Sequence, residues 1–343
     1  MKAVVFFGDR KAAIVERKDP EPKRGEVVVR MKASGICGSD MHKYRLPRKE
    51  FLEQGFENLI QGHEPGGIVE EIGEGVENVK EGDRVMVHHG AGCGYCPECL
   101  SGYHQLCKKL FLLGTPPTDG SWSDLMLSRA IGCIKLPERL SFADGAIMGC
   151  TGGSVFRIFE RLNVSAYDTV AIYGVGPLGL CAVLLGKAMG ARTLAVDLGN
   201  ERLDFAKKLG ADEIINAMTT NPVEAIKSLT KQKGASVAID FSGNATANVL
   251  RSLEFGGRAG IIGLGHDTRD GFLLKTGDIL FRNLTVVGNL IFPIDTPRKM
   301  IDFLLLHNIS LDRIVTHKFP LEKALEALEL FDTLKTGKIM FVW

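Results

Sequence analysis

The sequence predicts an α/β chain of two domains, one β-rich and one a doubly wound parallel sheet. Three observations carry the prediction. The 343 residues suffice for two hydrophobic cores at about 150 residues per domain. Up to residue 148 the chain is a series of short β-branched or alternating runs, punctuated by Gly25, Gly35, Gly62, Gly73, Gly75 and Gly82. From Gly149 onward short apolar runs alternate with helical patterns, which implies parallel strands joined by right-handed crossovers.

In order along the first part, strands are expected at 1–7, 26–36, 66–72 and 84–88. In the second part they are expected at 169–173, 193–197, 213–215, 236–240, 258–262 and 284–287. A helix is expected at 177–189. Asn200 reads as the N-cap of another, which carries Leu203, Ala206 and Leu209 on one face and is closed by Gly210. The tail shows a helix at 297–307, a strand at 313–318, a helix at 321–331 and a strand at 338–342. It is expected to return to the first domain, so the domains are 1–148 with 291–343, and 149–290. The sequence contains no internal repeat and no low-complexity segment.

Composition narrows the function. The 42 basic side chains nearly cancel the 41 acidic ones, leaving net charge +1 and no basic block for nucleic acid or an anionic membrane. An apolar content of 45% excludes intrinsic disorder. No apolar run approaches the ~18 residues of a membrane span. The run Ala3 to Phe7 stops at Gly8-Asp9, too short for a signal peptide. The expectation is a soluble, cytoplasmic protein.

Four of the eight cysteines fall close together as Cys93, Cys96, Cys99 and Cys107, inside a lobe at 90–108. In a reducing compartment such clustering points to metal rather than disulfides. Thiolates at this spacing can close a tetrahedral structural zinc site. An iron–sulfur cluster or redox pair is the competing reading, although the ferredoxin spacing differs. A nucleic-acid zinc ribbon is disfavoured by the scarcity of basic and aromatic residues in the lobe.

The segment Gly174-Val175-Gly176-Pro177-Leu178-Gly179 follows an expected strand and opens an expected helix. In that context GxGxxG reads as a dinucleotide fingerprint. Gly174 makes the tight turn, Gly176 admits a pyrophosphate to the helix N-terminus, and Gly179 allows close helix–sheet packing. Pro177 sits where a missing N–H costs nothing. Asp197 ends the next strand 18 residues after Gly179. There it would accept from ribose hydroxyls and repel a 2′-phosphate, which favours NAD over NADP. An ordinary glycine-rich turn and a solvated carboxylate are the plain alternatives.

Three further places present thiol, imidazole and carboxylate groups: Cys37 with Ser39 and His42, His63 with Glu64, and Cys150. Two thiolates and one imidazole make the open Cys₂His set of a catalytic zinc. Singly, each is as readily a core cysteine or a hydrogen-bonded histidine.

Taken together, these motifs make the chain resemble the zinc-containing medium-chain dehydrogenases of the alcohol, polyol and threonine dehydrogenase superfamily. The motif Gly35-Ile36-Cys37-Gly38-Ser39-Asp40-Met41-His42, the motif Gly62-His63-Glu64-Pro65-Gly66, the cysteine lobe and the glycine fingerprint occur in that family's order. The resemblance implies a GroES-like β-rich catalytic domain and a Rossmann cofactor domain. It makes Cys37 and His63 ligands of a catalytic zinc, with Glu64 beside the metal or transiently on it. It makes Ser39 and His42 a proton relay through the cofactor ribose. It makes the four lobe cysteines the ligands of a second, structural zinc. Arg202 is placed near the adenosine ribose, and Gly263-Leu264-Gly265 near the nicotinamide. The third catalytic ligand differs among members. Counting 24 residues back from Gly174 lands on Cys150, where ethanol-type members carry a thiolate. In the opposing reading Cys150 is core material and Glu64 completes the shell.

The implied reaction is hydride transfer between a primary or secondary alcohol, a polyol among the candidates, and NAD, in the cleft between the domains. A threonine- or polyol-specific enzyme, an NADP-using one, and a non-catalytic zinc- or NAD(P)H-binding relative are the alternatives. The segment 43–61, with Tyr44, Arg45, Arg48, Lys49 and Glu50, suggests a polar substrate if it lines the entrance; a solvated charged loop is the plain alternative. Cys133 and Cys181 read as packing residues, and His88, His89 and His104 as structural or surface groups. A homotetramer is expected, with the run 284–290 and the final strand contributing contacts, although 284–290 also reads as a buried parallel strand.

Overall fold

The structure, a computed structural model, describes residues 1–265, 271, 274 and 276–343. It divides into two compact units, Met1–Gly153 with Ile291–Leu334 and Lys338–Trp343, and Ser154–Leu290 with Lys335–Gly337.

The first unit is built on a seven-stranded sheet. Its order is Val315–Phe319, Lys338–Val342, Glu26–Gly35, Pro65–Ile72, Arg84–Val87 and Cys133–Lys135, with Leu125–Arg129 also pairing with Glu26–Gly35. All pairs are antiparallel except the one between Val315–Phe319 and Lys338–Val342. The central strand Glu26–Gly35 is buried on both faces along most of its length. Val27, Val29 and Met31 join Val69, Val85 and Met126 in one core. A second core gathers Phe6, Phe51, Trp122 and Phe341 with helices Gly38–Arg45 and Ala324–Asp332. Bulges between Val28 and Val29 and between Met31 and Ala33 bend the central pair.

The second unit holds a six-stranded parallel sheet in the order Glu213–Asn216, Arg192–Asp197, Thr169–Tyr173, Ala235–Asp240, Leu253–Ile261, Thr285–Gly288. In sequence terms this is 3-2-1-4-5-6, whose strand order reverses between Thr169–Tyr173 and Ala235–Asp240. Dinucleotides bind at that reversal, outside the carboxyl ends of the strands. The sheet core is Ala171, Leu194, Val196, Ala238 and Ala259, all fully or nearly fully buried.

Some elements differ from the sequence expectation, for identifiable reasons. Asn200 is not an N-cap. It is the first residue of helix Asn200–Lys208, and its side-chain oxygen accepts from Asn216. Asp197 meets the N–H groups of Leu198 and Gly199 at that helix entrance instead. The strand expected from 313 begins at Val315, because Leu311–Ile314 forms a 3₁₀ turn. The Asp144 carboxylate holds that turn, accepting from Ser310 Oγ and the Leu311 and Asp312 N–H groups. The final strand lies inside the sheet between two neighbours and offers no free edge. Thr285–Gly288, in contrast, is a mostly exposed edge strand rather than a buried one.

Candidate active site

Four side chains far apart in the sequence converge within the first unit. Strand Glu26–Gly35 delivers Cys37 to the N-terminus of helix Gly38–Arg45, where the Cys37 N–H donates to Asp40 Oδ2 at 3.0 Å. His63 and Glu64 follow the turn at Gly62 and immediately precede strand Pro65–Ile72. Cys150 lies in a π-helical turn, Met148–Gly152, that continues helix Phe142–Ile147. Such widened turns re-aim side chains and recur at functional sites. The ligating atoms of Cys37, His63, Glu64 and Cys150 all lie within 4.8 Å of one another.

The imidazole is held in one tautomer. His63 Nδ1–H donates to the buried Asp40 Oδ1 at 2.9 Å, because a carboxylate can only accept. Nε2 is therefore the nitrogen turned toward the other candidate ligands, and Ser39 Oγ stands 3.4 Å from it. Lys43 Nζ balances the Asp40 charge at 3.4 Å and donates to the Gly114 carbonyl at 2.9 Å. Glu64 is clamped as well. Lys338 Nζ lies 2.8 and 2.7 Å from its two oxygens, and Thr151 Oγ1 donates to Oε1 at 2.7 Å. Both Lys338 and Glu64 are fully buried.

These contacts set the charge states. Burial opposes charge on His63, but Asp40 and Cys37 outweigh it and raise its pKa to about 10. The proximity of the two sulfurs keeps Cys37 well below and Cys150 well above the ordinary thiol value. Burial opposes ionisation of both, while His63 and Lys338 favour the Cys37 thiolate. Burial raises Glu64, and Lys338 pulls it the other way. Two sulfurs, one oriented imidazole nitrogen and a carboxylate suit a zinc ion of the open, catalytic type. Glu64 Oε2 meets the Lys338 ammonium and accepts no further hydrogen bond beside that donor set.

The cysteine lobe forms a second cluster of the same kind. The sulfurs of Cys93, Cys96, Cys99 and Cys107 lie within 4.8 Å of one another. Cys107 accepts from the N–H groups of Cys93 and Lys109 at 3.4 and 3.3 Å. The Tyr95 N–H lowers the Cys93 pKa to about 6. Four convergent sulfurs with backbone donors fit a closed structural zinc.

In the second unit the fingerprint occupies the end of strand Thr169–Tyr173. Gly174 takes φ +86°, and its N–H donates to Val196 O at 2.8 Å. A side chain on Gly179 would strike the Gly174 carbonyl, so the close packing expected of it is present. Gly176 precedes helix Pro177–Ala188, with Pro177 in its first turn and Leu178 half-buried. Asp197 accepts the Val175 N–H at 2.7 Å and so ties this turn to the next strand. Arg202 lies close to Gly176, with Nε donating to Thr336 O at 3.1 Å. Its pKa is lowered by burial, against the pull of Asp197. Gly263 and Gly265 press on the Gly243 backbone, while Leu264 between them is 73% exposed.

Two family models match the chain, the alcohol dehydrogenase GroES-like domain over residues 23–138 and the zinc-binding dehydrogenase domain over 177–305. The chain is 34% identical to a sorbitol dehydrogenase of Bacillus subtilis, across 96% of this chain and 93% of that enzyme. It is 32% identical to an L-threonine 3-dehydrogenase of Bacillus licheniformis, across 94% and 93%. Among solved structures it is similar to the alcohol dehydrogenase TADH of Thermus sp. ATN1, with TM-score 0.88, 30% identity, and 100% and 99% of the two chains covered. The chain belongs to the zinc-dependent medium-chain alcohol dehydrogenase family.

Within this dehydrogenase fold the structure brings Cys37, Ser39, His63, Glu64 and Cys150 together and places His42 on the exposed face of its helix. The segment 43–61 turns out to be largely ion-paired surface. Arg45 pairs with Asp332, Arg48 donates to Phe7 O, Lys49 pairs with Glu53, and Tyr44 packs on Phe6. It therefore gives no support to a polar substrate. Cys133 and Cys181 are buried packing residues. His88, His89 and His104 are all buried, and burial lowers His88 to about 3 and His89 to about 4.

Sequence reasoning missed Asp40, Lys338, Thr151 and Asp240. Asp40 had a signal, a carboxylate three residues after a candidate thiolate. Lys338 had a fainter one, a lysine opening the apolar strand Lys338–Val342. Asp240 is fully buried and accepts from Ser242, Gly243, Ala245 and Thr246, which shapes the loop at the strand-order reversal. Asp40→Asn should weaken zinc binding at the Cys37–His63 centre about 10- to 100-fold, the usual effect of losing a carboxylate behind a ligating histidine. Competition with a chromophoric chelator reads this directly; unchanged affinity would show that His63 does not depend on Asp40.

Proposed function

We propose that this chain is a zinc-dependent oxidoreductase that transfers hydride between a primary or secondary alcohol and NAD (EC 1.1.1.-). The observation that carries this reading is the convergence of Cys37, His63 and Cys150, with Glu64 beside them, in a member of the alcohol dehydrogenase family. In this reading Cys37, His63 and Cys150 hold the catalytic ion, and Glu64 stays on Lys338 and Thr151. Cys93, Cys96, Cys99 and Cys107 hold the structural one, giving two zinc ions per chain. Zinc supplies Lewis acidity that favours the deprotonated alcohol, and NAD supplies the hydride acceptor.

The chain's own groups do the rest. Asp40 fixes the His63 ring so that Nε2 faces the other ligands. Ser39 Oγ, near the same nitrogen, takes the alcohol proton, and His42 on the exposed side of the helix carries it to water. Asp197 and Arg202 flank the place of the adenosine ribose, and Gly263-Leu264-Gly265 that of the nicotinamide. The eight cysteines form no disulfide, in keeping with a cytoplasmic protein. No described helix is long and apolar enough to cross a membrane. The edge strand Thr285–Gly288, flanked by exposed Phe281 and Leu290, is the kind of edge that a second copy covers, which supports a homo-oligomer and fits a tetramer.

The test is direct. Purified protein should carry two zinc ions by elemental analysis and raise absorbance at 340 nm with NAD and a panel of alcohols. Zinc-replete protein that oxidises none of them would overturn the reading.

Cofactor choice gives a separate prediction. Asp197→Gly combined with Leu198→Arg should shift the NADP-to-NAD ratio of kcat/KM by about tenfold or more, the scale of one charge-assisted hydrogen bond. Because Asp197 also anchors the Val175 N–H, part of the change should appear as a loss with NAD. Equal efficiency with both cofactors in the unmodified protein would remove Asp197 from its role.

A further inference from the structure

Beside the cysteine lobe stands a fifth group able to ligate metal. His104 opens the 3₁₀ turn His104–Leu106 that leads into Cys107, and the Cys107 N–H donates to the His104 carbonyl at 3.1 Å. The turn packs against the short helix Pro97–Leu100, which carries Cys99, and against strand Gly90–Ala91, which leads to Cys93. His104 is only 7% exposed, and its Nδ1 is enclosed with no hydrogen-bond partner among the described residues. A buried ring nitrogen without a partner costs free energy, and native folds keep few of them. Its neighbour is a sulfur. A Cβ placed on Gly92 would lie 2.5 Å from Cys99 Sγ and 3.1 Å from His104 Nδ1. Both atoms therefore border the same side of the Gly92 backbone, and glycine there leaves no side chain between them. The four lobe sulfurs lie within 4.8 Å of one another and complete a tetrahedral set by themselves. His104 Nδ1 is thus a donor in excess of what the ion needs, next to one sulfur of the set.

We propose that His104 is a reserve ligand of the lobe. When Cys99 Sγ is withdrawn from the ion, His104 Nδ1 takes its place, and the site persists as Cys93, Cys96, Cys107 and His104. Three thiolates and one imidazole are a structural zinc set in their own right, and a neutral imidazole ligates through either ring nitrogen. The exchange replaces an anionic ligand by a neutral one and leaves the ion four-coordinate. The proposal rests on the reading that the lobe holds zinc.

Zinc content by elemental analysis tests this on the full chain. Unmodified protein and His104→Phe should each carry two ions. Cys99→Ala should also carry two, whereas Cys99→Ala combined with His104→Phe should carry one. Cobalt substituted into the lobe gives a second readout. In Cys99→Ala its thiolate charge-transfer absorption should weaken as one sulfur is lost, while the visible bands of tetrahedral cobalt remain. Should Cys99→Ala fail to fold, zinc release to a chromophoric chelator reads the same exchange. In the Cys150→Ala background, whose one expected ion is the lobe's, adding His104→Phe should speed release about tenfold or more, the scale on which groups beside metal ligands act. Loss of the second ion from folded Cys99→Ala, its retention in the double variant, or unaltered release overturns the role of His104 and leaves the structural zinc standing. A single ion in unmodified protein with intact NAD-linked activity overturns the lobe zinc and the proposal together.

Discussion

Cys150→Ala should empty the catalytic metal centre and leave the lobe metal in place, so zinc content falls from two ions per chain to one. Loss of a whole ligand should exceed the roughly 10- to 100-fold cost of losing a group behind one, so turnover should fall by more than about 100-fold. The expectation rests on the π-helical turn Met148–Gly152, which carries the Cys150 sulfur into the same cluster as Cys37 and His63. It also rests on Glu64, which is clamped by Lys338 and Thr151 and so is poorly placed to replace the missing sulfur. Elemental analysis alongside NAD-linked activity checks both halves at once. Retention of two zinc ions with full turnover would assign the third position to Glu64.

Lys338→Met should be the most destabilising single change outside the ligands. It leaves the fully buried Glu64 carboxylate without its cation. Breaking a buried pair in this way costs about 3–5 kcal/mol, whereas replacing both partners by neutral groups is often close to neutral. The double variant Glu64→Gln with Lys338→Met should therefore recover much of the loss. Unfolding midpoints in urea for the four members of this cycle give the coupling. If the single and double variants are equally destabilised, the pair contributes through packing rather than charge.

Much of this architecture is legible in the sequence because local chemistry and global fold agree there. Strand Thr169–Tyr173 and strand Lys338–Val342 stand where apolar runs between turn residues place them. The lobe is legible because four sulfurs at short spacing need no long-range information. The catalytic cluster was readable only as separate thiol and imidazole motifs. What joins them is sheet register: Ser34 pairs with Pro65, setting the Cys37 and His63 segments side by side. The groups behind the ligands were harder still. Asp40 and Lys338 look like surface residues by type, and only burial turns them into partners of His63 and Glu64. Asn200 shows the opposite failure, where a favourable capping residue became the first helical residue and the N-cap place fell to Gly199.

The Glu64–Lys338 pair spans 274 residues of chain, and the whole second unit, Lys335–Gly337 included, lies between its members. During synthesis the continuous stretch Ser154–Leu290 leaves the ribosome before the strand Lys338–Val342 exists. Domains emerging in that order fold as they appear. Until the last strand arrives, the Ala33–Gly35 end of strand Glu26–Gly35 lacks its neighbour on one side, and the Glu64 carboxylate has no ammonium group to enter the core with. Closing so long a loop is slow compared with forming local contacts. The nascent first unit therefore passes through a stage with an open sheet edge and a solvated Glu64. A chain stopped at Gly337 would be held at that stage and exposed to edge-to-edge association.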